Sequence, residues 1–138
     1  MKATRRNARE WAIQMLTAAD LNPTDDIPAM MAEFWNNMVE SRPSSGLRAF
    51  AEERVVGVLA SQAELDGVLG PLLENWDIYR LGTVERAVLR MGLWEMMKTD
   101  IPKPVVINEA VDLVNWFSSP KSRNIVNGVL DKYAKSNP

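Results

Sequence analysis

The chain has 138 residues, with no cysteine, no histidine, a net charge of −2, 46% hydrophobic and 25% charged residues. That is ordinary for a soluble globular domain long enough to bury a core. It excludes disulfides and thiolate chemistry, and it removes both the usual general base near neutral pH and the commonest metal ligand.

Any catalysis would fall to carboxylates, lysine, serine or tyrosine alone, so no enzyme activity, metal or cofactor is expected. There is no run of eighteen apolar residues and no apolar segment near MKATRRNAREW, so neither a membrane span nor a signal peptide is expected, and a cytoplasmic protein is. The small net charge conceals an asymmetry. Residues 1–10 carry Lys2, Arg5, Arg6 and Arg9 against Glu10, a balance of +3; residues 120–138 also carry +3, which leaves −8 for the middle. Basic ends on an acidic body point to an anionic partner at the ends.

In chain order, Ala8, Trp11, Ala12, Met15, Leu16 and Ala19 follow helical spacing and predict an amphipathic helix from Thr4 to Ala19. Its first turns hold Arg5, Arg6 and Arg9, cations that oppose the helix dipole. An incoming phosphate would reconcile them with that site, and an Arg6–Glu10 pair one turn apart would do so without a ligand. Leu21-Asn-Pro-Thr-Asp-Asp is a loop. Ile27, Met30, Met31, Phe34, Trp35, Met38 and Val39 mark a second helix that stops near Arg42-Pro43. Ser44 or Ser45 caps a third, with Leu47, Phe50, Ala51, Val55, Val58 and Leu59 on its buried face. Leu65, Val68, Leu69, Leu72, Leu73 and Trp76 form a fourth, in which Pro71 predicts a kink or break near Gly67–Gly70.

Thr83 to Met97 is apolar around most of its circumference, with a narrow polar edge of Glu85, Arg86, Arg90 and Glu95; such a helix belongs inside a bundle. Thr83 is its expected N-cap, and Gly92 predicts close approach of a neighbouring helix. Thr99-Asp-Ile-Pro-Lys-Pro ends it. Val106, Ile107, Ala110, Leu113, Val114 and Phe117 line the next helix. Ser119-Pro120 then reads as an N-cap with proline at the first helical position. Val126, Val129, Leu130 and Tyr133 line the last helix, where Gly128 again predicts a close contact. No stretch alternates with period two, so the fold class is all-α with about seven helices.

No phosphate loop, CxxC, HExxH or G-x-S-x-G motif occurs. The pairs Glu109/Asp112 and Asp25/Asp26 read as solvated carboxylates. Asn108-Glu109, set within an apolar helix, reads as a bridge to a neighbouring helix.

VVINEAVDLVNWF at 105–117 and KSRNIVNGVLDKY at 121–133 resemble the patterns VxINEAVEL and KSxxFVNGVLDK of the bacterial NusB family. GTVERAVLRMGLWEM at 82–96 and RRNAREWAIQML at 5–16 resemble the segments that precede them. The four segments occur in the family's order and cover nearly the whole chain. The resemblance implies one non-catalytic, all-α domain made of helical subdomains 1–76 and 77–138. It implies an antitermination factor that binds boxA-type single-stranded RNA together with the ribosomal small-subunit protein NusE, within the RNA polymerase antitermination complex, in support of ribosomal RNA transcription. Lys2, Arg5, Arg6, Arg9 and Lys121 match positions that meet RNA, and Glu85 matches a position on the NusE surface. Some relatives dimerise across the RNA-facing surface, so a homodimer is among the implied partners.

The chain departs from the pattern at Thr17 and Ile125, where the family has aromatics able to stack on bases. Asn7 replaces a third consecutive basic residue seen in some relatives. Stacking contributes about 1–3 kcal/mol per base, so a second reading is a NusB-fold interaction module with weakened or lost RNA binding. A third is the RNA-binding domain of an RNA-modifying methyltransferase, but with no dinucleotide-type segment after Pro138 catalysis in cis is not expected.

Overall fold

The computed structural model describes residues 2–38, 43–74, 77–117 and 119–138. Among them are seven α-helices and no strand: α1 (Arg5–Leu21), α2 (Ile27–Asn36), α3 (Ser45–Ala60), α4 (Gln62–Leu72), α5 (Thr83–Lys98), α6 (Lys103–Phe117) and α7 (Pro120–Ser136), with a single 3-10 turn at Ile78–Arg80 before α5. Val39, Arg42 and Trp76, named above at helix ends, lie outside the described residues.

α5 is the axle. It packs against α1, α3, α4, α6 and α7, and every residue from Glu85 to Met96 is buried. Val88, Leu89 and Leu93 are fully enclosed, each contributing roughly 1.5–3 kcal/mol through loss of apolar surface from water. One continuous apolar cluster runs from Ala8 on α1 through Val55, Leu69 and Leu89 to Leu130 on α7. α2 closes the bundle edge-on, Trp35 meeting Trp11 with centroids 5.8 Å apart at 85° and donating its Nε1–H to Glu52 at 3.0 Å.

The polar edge of α5 is not a surface. Arg86 donates to Asp20 at 2.6 Å, Arg90 grips Asp66 at 2.8 and 2.9 Å, and Glu95 accepts from Arg9 and Arg54. Burial alone would depress the Arg90 pKa, but the hydrogen bond and charge of Asp66, with Asp20 behind it, outweigh that and raise it. All four edge residues are at most 9% exposed.

Local chemistry sets the helix ends. Ser44 and Ser119 cap α3 and α7, their hydroxyls accepting from Leu47 and Ser122, and Pro120 opens α7. The N-cap of α5 is Gly82, not Thr83, which is already helical. A Cβ at Gly82 would meet the Glu85 carboxylate, which folds back over the helix start. Pro71 does not break α4, because it lies in the last turn, where Leu73 N–H reaches back to Leu69 at 3.0 Å. Glu74 follows in the left-handed region with φ of 54°, and its carboxylate pairs with Lys132.

Gly92 does mark close approach: a Cβ there would lie 3.0 Å from Leu130 Cδ1 and 3.8 Å from the Ala110 Cβ. Gly128 does not, since nothing stands within 4 Å of its would-be Cβ. The tighter contact is at Gly57, which lies against the Trp94 indole and leaves no room for a methyl group.

Candidate nucleic-acid interface

The first turn of α1 forms because Asn7 Oδ1 accepts the Thr4 amide at 2.9 Å and the Thr4 hydroxyl at 3.2 Å. Asn7, the substitute for a third basic residue, therefore holds the helix start. It leaves Arg5 exposed, with its guanidinium 5.1 Å from the Phe50 ring centroid.

Arg6 turns toward α6 instead of pairing with Glu10. It donates to Glu109 at 3.0 and 3.3 Å and to Asp112 at 2.7 Å. The Glu109 hydrogen bond is the main reason its pKa is raised, with the charges of both carboxylates adding to it. Glu109 and Asp112, expected to be solvated, are thus the clamp that carries α1 onto α6. Glu109 bridges helices as anticipated, while Asn108 beside it is exposed. Arg5, Arg6, Ile101, Val105 and Glu109 line an open groove here.

Arg9 is a correction. Expected to meet RNA phosphates, it is 4% exposed and donates to both oxygens of Glu95 at 3.1 and 3.2 Å. Arg54 donates to the same carboxylate at 2.6 Å, with its guanidinium 3.4 Å from the Phe50 centroid and a second partner in Glu53 at 3.0 Å. Burial pushes the Arg54 pKa down, and the Glu95 charge and hydrogen bond oppose it. Two guanidiniums on one buried carboxylate form a structural cluster inside the bundle. Arg54 and Glu95 were missed as functional-looking residues, although Arg54 sits four residues after Phe50 within the buried stripe of α3.

Glu85 is a second correction. It was expected on an open edge facing a protein partner, yet it is 8% exposed and accepts from the Ser122 hydroxyl at 2.9 Å. It therefore locks the first turn of α5 to the first turn of α7. Lys121 and Arg123 flank Ser122 and are exposed, in a helix turn without acidic residues. Ile125 is half-buried against the core, and the half-buried Thr17 donates its hydroxyl to the Gln14 carbonyl at 2.9 Å. Lys2 is exposed.

The ion pairs also fix where these groups lie. Arg9 meets Glu95 and Asp20 meets Arg86, so α1 runs antiparallel to α5. Ser122 meets Glu85, while Leu130 faces Gly92, so α7 runs parallel to it. Lys2, Arg5 and Arg6 consequently stand at the C-terminal end of α5, whereas Lys121 and Arg123 stand at its N-terminal end. Glu85 and Glu95 are separated by about 15 Å along the axis, at 1.5 Å per residue. The basic ends of the chain do not converge on one spot; they bracket the bundle.

Among the described residues no group of three or more carboxylates, cysteines or histidines could hold a metal. No helix among them is long and apolar enough to cross a membrane. What the fold and these groups define is a helical bundle with charge sealed into its axis and exposed cations at both ends.

The NusB family model matches residues 6–135. The chain is 38% identical over 133 residues to the transcription antitermination protein NusB of Sorangium cellulosum, covering 96% of this chain and 92% of that one. Its fold superposes on T. maritima NusB with a TM-score of 0.86 at 27% identity, over 98% of this chain and 93% of the other. It also superposes on NusB in a crystal structure of antitermination factors NusB and NusE in complex with dsRNA, with a TM-score of 0.83 at 28% identity over 96% of both chains. The chain belongs to the NusB family.

Proposed function

We propose that this chain is a cytoplasmic transcription antitermination factor that binds boxA-type single-stranded RNA together with ribosomal protein NusE, acting with RNA polymerase in support of ribosomal RNA transcription. The observation that carries this reading is the placement of exposed cations, Lys2, Arg5 and Arg6 at one end of α5 and Lys121 and Arg123 at the other. The relative crystallised with NusE and dsRNA supports both partner classes. In this reading Glu85 holds the α7 turn that carries Lys121 toward the RNA. The two-subdomain division at 76/77 belongs to the same reading.

The test is a titration of labelled boxA RNA, single-stranded and duplex, at several salt concentrations with and without NusE. Single-stranded RNA should bind more tightly when NusE is present. Log affinity should fall with log salt by about 0.7 per phosphate neutralised. Negligible affinity under every condition would refute the RNA reading.

A second reading is an interaction module that keeps NusE and has weakened RNA binding. The clamp of Glu109 and Asp112 on Arg6 and the burial of Arg9 favour it. It predicts undiminished NusE binding with no salt-sensitive RNA affinity. Aromatics restored at Thr17 and Ile125 should then strengthen RNA binding.

A further inference from the structure

We propose that Trp116, with Phe117 beside it, is the platform on which a base of the bound single-stranded RNA stacks. The proposal rests on the RNA-binding reading above and adds to it a site on the last turn of α6. Trp116 is 76% exposed, whereas Trp11, Trp35 and Trp94 are 7–9% exposed. Phe117, the next residue, is 42% exposed. Two adjacent aromatic side chains are thus left largely in water.

Its surroundings indicate what covers it. Asp112 lies one helical turn before Trp116, and residues four apart share a helix face. Asp112 is held by Arg6 at 2.7 Å. The strip Glu109, Asp112, Trp116 therefore leads from the basic first turn of α1 directly to the indole. Beyond it the chain turns into α7, whose first turn carries Lys121 and Arg123 and no acid. Lys121 is five positions after Trp116, which limits their Cα distance to about 18 Å.

Trp116 thus lies near the Lys121 end of the bundle, at the far end of a path along α6 from Arg6 that a strand touching both ends can follow. Glu109 and Asp112 bring two negative charges to this path. Arg6 offsets one of them, and the exposed Lys2, Arg5 and Arg123 outnumber the rest. A ligand matching this strip needs a chain of negative charges and flat apolar faces at intervals. Single-stranded nucleic acid has both, and stacking on an aromatic tolerates any base.

The test compares wild type, Trp116→Ala and Trp116→Phe as full chains, titrated with boxA RNA in the presence of NusE. Loss of one stacked base weakens binding roughly 5- to 150-fold. Trp116→Ala should show that loss with an unchanged salt slope, because stacking releases no counterions. Trp116→Phe should retain most of the affinity while losing the tryptophan fluorescence quench that RNA produces in wild type. Lys121→Ala should instead reduce the salt slope by about 0.7.

If wild type binds RNA and Trp116→Ala binds equally well, the platform is refuted while the antitermination reading stands. If wild type binds no RNA with or without NusE, both fall. If Trp116→Ala leaves RNA affinity intact but abolishes self-association in sedimentation, the patch is an interface between copies and the proposal is overturned.

Discussion

Replacing Glu95 by alanine is the most severe single perturbation the structure suggests, although Glu95 is remote from the proposed RNA strip. Its carboxylate is the shared counter-charge of Arg9 and Arg54, whose side chains are 5% and 2% exposed. Removing it leaves two guanidiniums out of water with only the largely exposed Glu53 nearby. Breaking a buried pair by deleting one partner costs about 3–5 kcal/mol, against a total stability of roughly 5–15 kcal/mol for a domain of this kind. At roughly 3–4 °C per kcal/mol, Tm should fall by about 10–20 °C. Urea unfolding followed by circular dichroism at pH 7 measures the loss, and an unchanged m-value shows that the unfolding transition itself is the same. The triple variant Arg9→Met, Arg54→Met, Glu95→Met should recover most of the stability, because an apolar cluster of similar volume needs no counter-charge. A loss below about 1 kcal/mol for Glu95→Ala would place the cluster in the class of solvated surface pairs and refute the reasoning. The same physics makes Arg9→Ala a stability variant, so it cannot serve as a test of RNA contact.

The double variant Glu109→Gln, Asp112→Asn should bind RNA more tightly and with a steeper salt slope, since it releases Arg6 and removes two negative charges; isothermal titration at two salt concentrations checks this. Because the Arg6 pair is partly exposed, the stability change should stay within about 1 kcal/mol. Gly57→Ala should destabilise by about 1–3 kcal/mol through overpacking against Trp94. Gly128→Ala, open to solvent in the interior of α7, should stabilise by about 0.8–1 kcal/mol; chemical denaturation of the two variants reads opposite signs. Glu74 is held below its ordinary carboxylate pKa, first by its hydrogen bond from Lys132 and then by that lysine's charge. Its contribution to stability is therefore present above the ordinary carboxylate range and lost as pH falls through the lowered value. A carboxyl NMR titration should show Lys132→Ala returning it to the ordinary range.

The apolar stripes were legible because helical periodicity is a local property. So were Ser44, Ser119-Pro120 and the close approach at Gly92. The failures share one cause: periodicity sorts faces by polarity, so a charged residue on an inward face is sent outward. Arg9 precedes Ile13 by four residues and Leu16 by seven, which is a buried-face spacing, yet its charge marked it as a phosphate ligand. The partners that allow it inside are remote in sequence: Glu95 is 86 residues from Arg9 and 41 from Arg54, and Glu109 is 103 from Arg6. No window of one helix contains such a pairing. Gly128 and Gly57 show the same limit, since one was read as a contact and the other overlooked, and only the helix opposite decides which.

Those buried charges also explain how an apolar axle can seat a helix at one height. Interdigitated side chains already resist sliding, and the buried ion pairs add charge that a slip would strand. α1 is held to α5 at two levels, Arg9 with Glu95 and Asp20 with Arg86. The bonded residues are eleven apart on α1 and nine apart on α5, which at 1.5 Å per residue is about 16 and 14 Å. A slip by one turn of about 5.4 Å parts both pairs at once and strands charge in the core. The register held this way sets which arginine of the first turns faces inward and which outward: Arg9 to Glu95, Arg6 to the α6 strip, Arg5 to solvent. On the proposed RNA reading, the cations left for the strand are those this seam does not hold, and a variant that weakens the seam should shift affinity in the boxA titration.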